Sequence, residues 1–526
     1  MFARTMLLLA ALALAPALEA KTLRWSSQGD VATQDPHALD ESFTKSVNAM
    51  IYERLIMPGK DMSPTPWLAT SWEVVAPTKR VFKLRRDVRF QDGTPFTADD
   101  VVFSFERAAK SQQFRTYTSQ AGTARKIDDY TVEFTNEAPN PVATIAIGEI
   151  PIMSRAWATK NASADPQNFT AKEPTFASRN AMGTGPFKLV SYEPGVKTVL
   201  AKNPDWWGIK DRRFEGNVDL LEYRPIASAP TRMAALKSGE IDFVLDPPVQ
   251  DIARLKTDPE LKVIEGDEMR VITITLDQAR DQLLFSNVQG KNPFKDKRVR
   301  QALYQAIDIE AIRAQVMRGL ATPTAIGFPN PKGESIRADL EKRLPYDPAA
   351  AKKLLADAGY PNGFGFTLNC PNDRYINDEG ICQAVTGMLA KIGIKVNLVV
   401  QPKGPHFTLL QKTPPESDFY MLGWGVPTFD SHYVFAYLYH TRSGKDGGWN
   451  ATRYSNPDID KSIQGLTEEI DVVKRNAAIA KLWSTLSDET VYIALHHQMV
   501  AHAMKSDLDI PVRPDNWVYM KMTAAK

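Results

Sequence analysis

A chain of 526 residues is too long for one compact core, and about 150 residues per domain suggests two to four domains. The 64 Lys and Arg against 62 Asp and Glu leave a net charge of +2, so neither nucleic acid nor an anionic membrane surface is expected as the main partner. Two cysteines exclude a disulfide-built scaffold and a cysteine-rich metal protein, and 43% hydrophobic with 24% charged residues excludes a disordered chain.

The chain opens with one positive side chain, Arg4, followed by an apolar run from Met6 to Leu18 that only Pro16 interrupts. Leu18-Glu19-Ala20 ends on a small residue. A secretory signal over residues 1–20 is therefore expected, with Lys21 as the mature start. The alternative, a membrane anchor, needs about 20 apolar residues, more than this run supplies. No cysteine stands near the cleavage point to take a lipid, and no later stretch reaches spanning length. The mature protein is expected to be soluble and exported, most simply into a bacterial periplasm.

Arg80 to Arg85 alternates, with Phe82 and Leu84 on one face and Lys83 and Arg85 on the other, which predicts a strand. Asp92-Gly93 is a turn signal. Thr97 can cap the helix that follows, with Asp100 three residues later as in a capping box and Val101, Val102 and Phe105 as its apolar face. From Thr131 to Asn203 short strands and prolines dominate. Asp296 can cap a helix whose Val299, Leu303, Ala306 and Ile307 share one side. Asp347-Pro348 starts another, buried through Leu354, Leu355 and Ala358 and stopped by Gly359. Strands at Phe366–Asn369 and Ile394–Val400 follow, the second after a helix ending near Gly393. This alternation predicts an α/β lobe with a mainly parallel sheet.

Enzyme motifs are mostly missing. There is no zinc helix, no nucleophile elbow and no phosphate loop, and Gly363-Phe-Gly365 lacks the third glycine of a dinucleotide site. His432 and His440 are two helical turns apart, and His496-His497 with His502 form a loose group. Neither set carries the carboxylate or thiolate spacing of a metal site, so surface or packing histidines are expected. No metal, cofactor or catalytic residue is assigned.

Longer blocks carry more information. Leu68–Val74, Phe82–Arg85, Val88–Phe105 (with Phe90-Gln-Asp-Gly-Thr-Pro-Phe96), Gly183-Thr-Gly-Pro-Phe-Lys188, Asn203-Pro-Asp-Trp-Trp-Gly208, Arg298–Asp308, Tyr346–Gly363 and Tyr454-Ser-Asn-Pro-Asp-Ile-Asp460 together resemble the family-5 extracellular solute-binding proteins, the peptide- and nickel-type receptors of ABC importers. They occur in the family's order. Most read as structural signatures: Gly183 and Gly185 as permitting tight turns before a strand, and Trp206-Trp207 as a packed corner rather than a ligand platform.

The resemblance implies an α/β, two-lobed periplasmic-binding-protein fold with an extra subdomain on the first lobe, closing on ligand about a hinge. The first lobe would run from Lys21 to about Leu276, with the subdomain at about 60–185, and be completed by 496–526. The second would run from about Asp277 to Leu495, and the crossings near Ile272–Leu276 and Tyr492–His496 would form the hinge. The implied work is capture of a di- or oligopeptide and delivery to the permease subunits in the inner membrane, with no bond broken. The implied receptor is a monomer. A non-peptide ligand (an opine, a modified peptide or a metal chelate) is the alternative, and a periplasmic chaperone or enzyme on this scaffold is a third reading.

In peptide-binding relatives an arginine of the second lobe often meets the ligand carboxylate, and Arg374 stands in a matching loop after Phe366–Asn369. A guanidinium fork suits that task, and Tyr375 is its neighbouring candidate. Met421–Ser431 resembles the tryptophan-containing cleft segment, with Trp424 as a flat wall or as a core side chain. Relatives that bind a peptide amine commonly carry an aspartate three residues after this tryptophan, where this chain has Pro427. The next acid, Asp430, takes over amine binding or only orients local backbone. Cys370 and Cys382 flank the Arg374 loop and are expected to form a disulfide in an oxidising compartment, the alternative being two buried thiols, since Cys382 lies in a helical pattern beginning near Asp378.

Overall fold

The computed structural model describes residues 20–525 apart from 60–61, 170, 172, 329–339, 427–429 and 444–445. The expected signal, but for Ala20, and Pro427 lie outside the described residues. Among the described residues an eleven-stranded sheet runs through the whole molecule. Its order is Lys395–Gln401, Gly365–Pro371, Phe419–Gly425, Leu261–Leu276, Tyr492–Lys505, Phe243–Leu245, Thr22–Ser26, Leu220–Tyr223, Lys197–Lys202 and Phe187–Glu193, with Ala321–Pro323 paired to Tyr492–Lys505.

The two long strands at the centre are antiparallel and belong to both halves. Leu261 to Asp267 pairs with Lys505 to Met499, and Val271 to Thr275 pairs with His497 to Tyr492. Between these stretches the ladder breaks. Asp267 sits opposite Met499 and Val271 opposite His497, so Glu268, Met269 and Arg270 oppose Gln498 alone. Such a bulge bends the ribbon and interrupts its pairing where the two halves meet.

The expected parallel sheet is only partly present. Gly365–Pro371 is parallel to Lys395–Gln401 and to Phe419–Gly425, but Leu261–Leu276 is antiparallel to Phe419–Gly425. The reason is topological: the chain crosses between the halves twice, in opposite directions, and both crossings are strands of the sheet.

Local signals built the expected elements. Asp296 accepts from the Arg298 amide at the start of Lys297–Gln305, and Asp347 accepts from the Ala349 and Ala350 amides at the start of Pro348–Asp357. Thr97 and Asp100 form the capping box of Ala98–Ala109. That helix lies with a separate antiparallel sheet ordered Ala69–Ala76, Lys79–Leu84, Thr131–Thr135 and Thr123–Asp128. Phe82, Phe105 and Phe134 fill the space between, with ring centroids 5.3 and 4.8 Å apart across Phe134.

Gly183 and Gly185 are needed for a different reason from the expected turn. A Cβ on Gly183 would stand 2.1 Å from the Ile51 carbonyl oxygen, and one on Gly185 would stand 2.5 Å from that of Met50. Both serve close backbone approach. Trp206 and Trp207 do form a packed corner, and its centre is a buried carboxylate. Glu53 Oε1 accepts from Trp67 Nε1 at 2.6 Å and Trp206 Nε1 at 3.0 Å, while Oε2 accepts from Trp207 Nε1 at 2.8 Å. Arg85, Arg213 and Lys521 lie over the faces of these indoles.

Candidate ligand-binding cleft

A cavity of about 370 Å³ lies where the halves meet at the bulge. The N-terminal half contributes Glu41 and Asp246, and the central ribbon contributes Glu268, Arg270 and Gln498. The other half contributes Asp373 to Glu379 with Lys403. Across its mouth, Gln28 Nε2 donates to the Asp373 carbonyl at 3.3 Å.

The Arg374 loop is held from several sides. Cys370, in the strand Gly365–Pro371, is disulfide-bonded to Cys382 in the helix Asp378–Ala390. Asp378 accepts from the Arg374 and Tyr375 amides, each at 3.0 Å, and the Ile376 amide donates to Gln498 Oε1 at 3.1 Å. Burial pushes the Asp378 carboxyl up to about 6. The Tyr375 hydroxyl donates to the Gly423 carbonyl at 3.1 Å, and a Cβ on Gly423 would meet the Tyr375 ring at 2.5 Å, so this ring is a fixed wall. Arg374 extends over it, 5.4 Å from guanidinium carbon to ring centroid. No carboxylate comes within ion-pair distance of the Arg374 guanidinium among the described residues. Glu41 faces it across the cleft. Burial favours the neutral form of Glu41, yet Lys403 and Arg374 hold it below the usual carboxylate range.

Trp424 and Asp430 stand elsewhere. Trp424 is half-buried in an aromatic cluster, with centroids of Tyr433, Tyr437 and Trp449 at 5.9, 5.9 and 5.4 Å, and it does not line this cavity. Asp430 accepts from the His432 amide at 2.8 Å, capping Ser431–Val434, and receives a two-pronged contact from Arg475 at 2.6 and 2.8 Å. That carboxylate is already paired with Arg475 and caps a helix, an arrangement that suits the backbone-orienting alternative. Sequence reasoning passed over Glu41, Asp246, Lys403 and the bulge residues. The one available signal was Glu268-Met-Arg270 breaking an otherwise strand-like run.

The histidines are packing residues, and among the described residues no three His, Cys, Asp or Glu side chains gather as a metal site. Burial drives His37 and His496 down to about 3, and His406, His432 and His502 down to about 4. As pH falls below about 6.5, the unfolded chain takes up protons that the folded one refuses, so stability is lost through that window. Each of these histidines removes about 2 kcal/mol by pH 5. The raised carboxyls of Asp246, held at about 7 by burial and then by Glu268, and of Asp378 act oppositely, returning about 2 and about 1 kcal/mol over the same span, and Glu53, Asp100 and Asp418, which burial also raises, act in the same direction. The histidines win. Calorimetry is expected to give a lower melting temperature at pH 5 than at pH 7, and a rise on acidification would contradict the buried neutral assignment.

A profile for "Bacterial extracellular solute-binding proteins, family 5 Middle" matches residues 63–446. The chain belongs to this family. The family-5 protein is 26% identical over 488 residues to a glutathione-binding protein, GsiB, of Pectobacterium atrosepticum, covering 90% of this chain and 89% of the relative. It is 26% identical over 537 residues to the dipeptide-binding protein of Escherichia coli, covering 95% and 94%. Among solved structures it is similar to the periplasmic binding protein AgaA from A. tumefaciens in complex with agropinic acid, at a TM-score of 0.78 and 24% identity over 96% of this chain and 99% of that one. The fold is thus the two-lobed periplasmic-binding-protein fold. Among the described residues no helix is long and apolar enough to cross a membrane.

Proposed function

We propose that this family-5 protein is the exported, monomeric receptor of an ABC importer, capturing a small peptide between its lobes and passing it to the membrane permease without chemical change. The observation that carries the peptide reading is Arg374. Its loop is fixed by a disulfide and by Asp378, and its guanidinium faces a cavity of about 370 Å³ without a carboxylate partner among the described residues. A planar cation of this kind suits a ligand carboxylate. The volume falls within the roughly 300–1,000 Å³ of small-molecule sites. Relatives named for dipeptide and glutathione binding point the same way.

In this reading the lobes divide at the bulge of Glu268–Arg270 opposite Gln498, a few residues from the expected Leu276 and Leu495, and the four-stranded sheet is the body of the extra subdomain. A signal cleaved after Ala20 would deliver the chain to the periplasm. A non-peptide acid such as an opine is the second reading. It is favoured by the pairing of Asp430 with Arg475, which already engages the carboxylate a peptide amine would use.

The test joins two measurements. Mass spectrometry of what co-purifies with native protein is expected to find a peptide. Adding that molecule to protein stripped of it is expected to lower the radius of gyration in solution scattering and raise the melting temperature. A co-purified molecule without peptide bonds would replace the first reading by the second. An unchanged scattering curve at saturation would remove the closure mechanism.

A further inference from the structure

We propose that Asp246 anchors the positive nitrogen of the ligand from the first lobe, opposite Arg374 on the second, so that a molecule carrying both charges bridges the lobes. Six carboxylates and four cationic side chains line the cavity. Five of the carboxylates have work within the protein. Glu41 accepts from the Phe43 and Thr44 amides, Glu268 from Arg270 and Gln498, Asp373 from the Lys403 amide, Asp378 from the Arg374 and Tyr375 amides, and Glu379 from Gln383.

Asp246 differs. Its backbone is pinned, the amide donating to the Ala501 carbonyl at 3.2 Å with φ at 53°. Yet its carboxylate makes no ion pair among the described residues, and Oδ1 is buried without a hydrogen-bond partner. Of the cations nearby, Arg270 is paired with Glu268 at 3.0 Å, and Arg232 donates to the Ile226 carbonyl at 2.5 Å; Arg232 keeps its Nε buried without a partner and acts on Asp246 through its charge alone, with no ion pair between them. The Asn516 amide stands beside the carboxylate without the geometry of a hydrogen bond. A buried acceptor left in this state is costly, and a ligand ammonium in the cavity would satisfy it.

Asp246 follows the first-lobe strand Phe243–Leu245, whereas Arg374 follows the second-lobe strand Gly365–Pro371. Anchors on opposite walls tie closure to the ligand, because only a molecule gripped at both ends holds the lobes together. This assignment also supplies an amine site apart from Asp430, whose carboxylate Arg475 already engages. It rests on the peptide-capture reading.

The experiment uses full-length mature protein, an equimolar dipeptide mixture and the same mixture N-acetylated, read by melting temperature, calorimetric titration and scattering. Asn is the replacement of choice, since it tolerates the left-handed backbone that Asp246 adopts. Wild type is expected to bind and close on the free dipeptides and to bind the acetylated ones about 30-fold or more weakly, without full closure. Asp246→Asn is expected to lose most of that discrimination without any fall in its unliganded melting temperature, since it removes a buried unpaired charge, and Asp246→Glu to restore part of it. Equal binding of both mixtures by wild type, or undiminished discrimination by Asp246→Asn, overturns the proposal. Should neither mixture bind, the peptide reading fails separately, and the co-purified molecule decides Asp246. A basic nitrogen whose removal weakens wild type but not Asp246→Asn supports the anchor, and a molecule without one overturns it.

Discussion

Glu53→Ala is expected to remove on the order of 3–5 kcal/mol of folding stability, among the largest single-residue losses in this protein. The carboxylate is the common acceptor of Trp67 and of the adjacent Trp206 and Trp207, which lie well over a hundred residues further along the chain. Truncation leaves three indole N–H groups facing a void, and each buried unpaired donor costs about 1–3 kcal/mol. The cations above the indole faces cannot substitute, since they too are donors. Glu53→Gln keeps the shape and one good acceptor but turns an amide N–H₂ toward donors, so an intermediate loss is expected. Equilibrium denaturation of the unliganded protein measures both. A shift below about 1 kcal/mol for Glu53→Ala would show that the three tryptophans hold without their acceptor.

Arg374→Ala is expected to weaken a carboxylate ligand by roughly 30- to 5,000-fold, the effect of removing one partner of a desolvated charge pair, about 2–5 kcal/mol. Arg374→Lys should recover only part, because a point charge cannot reproduce the fork. The decisive measurement is a cycle with a dipeptide and its C-terminal amide, titrated calorimetrically against wild type and Arg374→Ala. Wild type should bind the amide poorly, and Arg374→Ala should add little to that deficit. Additive losses, or a change below about threefold on Arg374→Ala, would assign this arginine to its loop instead. The fold should survive the change, since the loop hangs on Asp378, Gln498 and the disulfide.

What could be read from the sequence was whatever is decided within a few residues. Asp296, Asp347 and the Thr97–Asp100 pair are capping solutions to a local shortage of acceptors, and they hold in three dimensions because nothing distant competes. The Arg374 loop was found for a related reason, since a strand, a turn and a helix stand there in immediate succession. Trp424 and Asp430 show where that reach ends. Whether a tryptophan faces a cavity or Tyr433, and whether an aspartate is free or bound by Arg475, depends on segments far off in sequence. Gly183 and Gly185 teach the same lesson from the other side: the residue type was a correct signal, but its cause was a backbone more than a hundred residues away. Asp246 offered no pattern at all. A carboxylate becomes conspicuous only once every neighbour that might have paired with it is seen to point elsewhere.

The position of Tyr492–Lys505 in the sheet also governs how the chain can assemble. This strand lies between Leu261–Leu276 and Phe243–Leu245, so the two halves of the sheet are joined through a segment synthesised well after both of its partners. Until it emerges, Leu261–Leu276 presents a long unpaired edge to solvent, which is the state most open to wrong pairing. Its pairings with Leu261–Leu276 span more than two hundred residues, and contacts of that separation form slowly because the loop entropy must be overcome first. A polypeptide wired this way keeps its central sheet open until this strand is made, and so remains threadable until then.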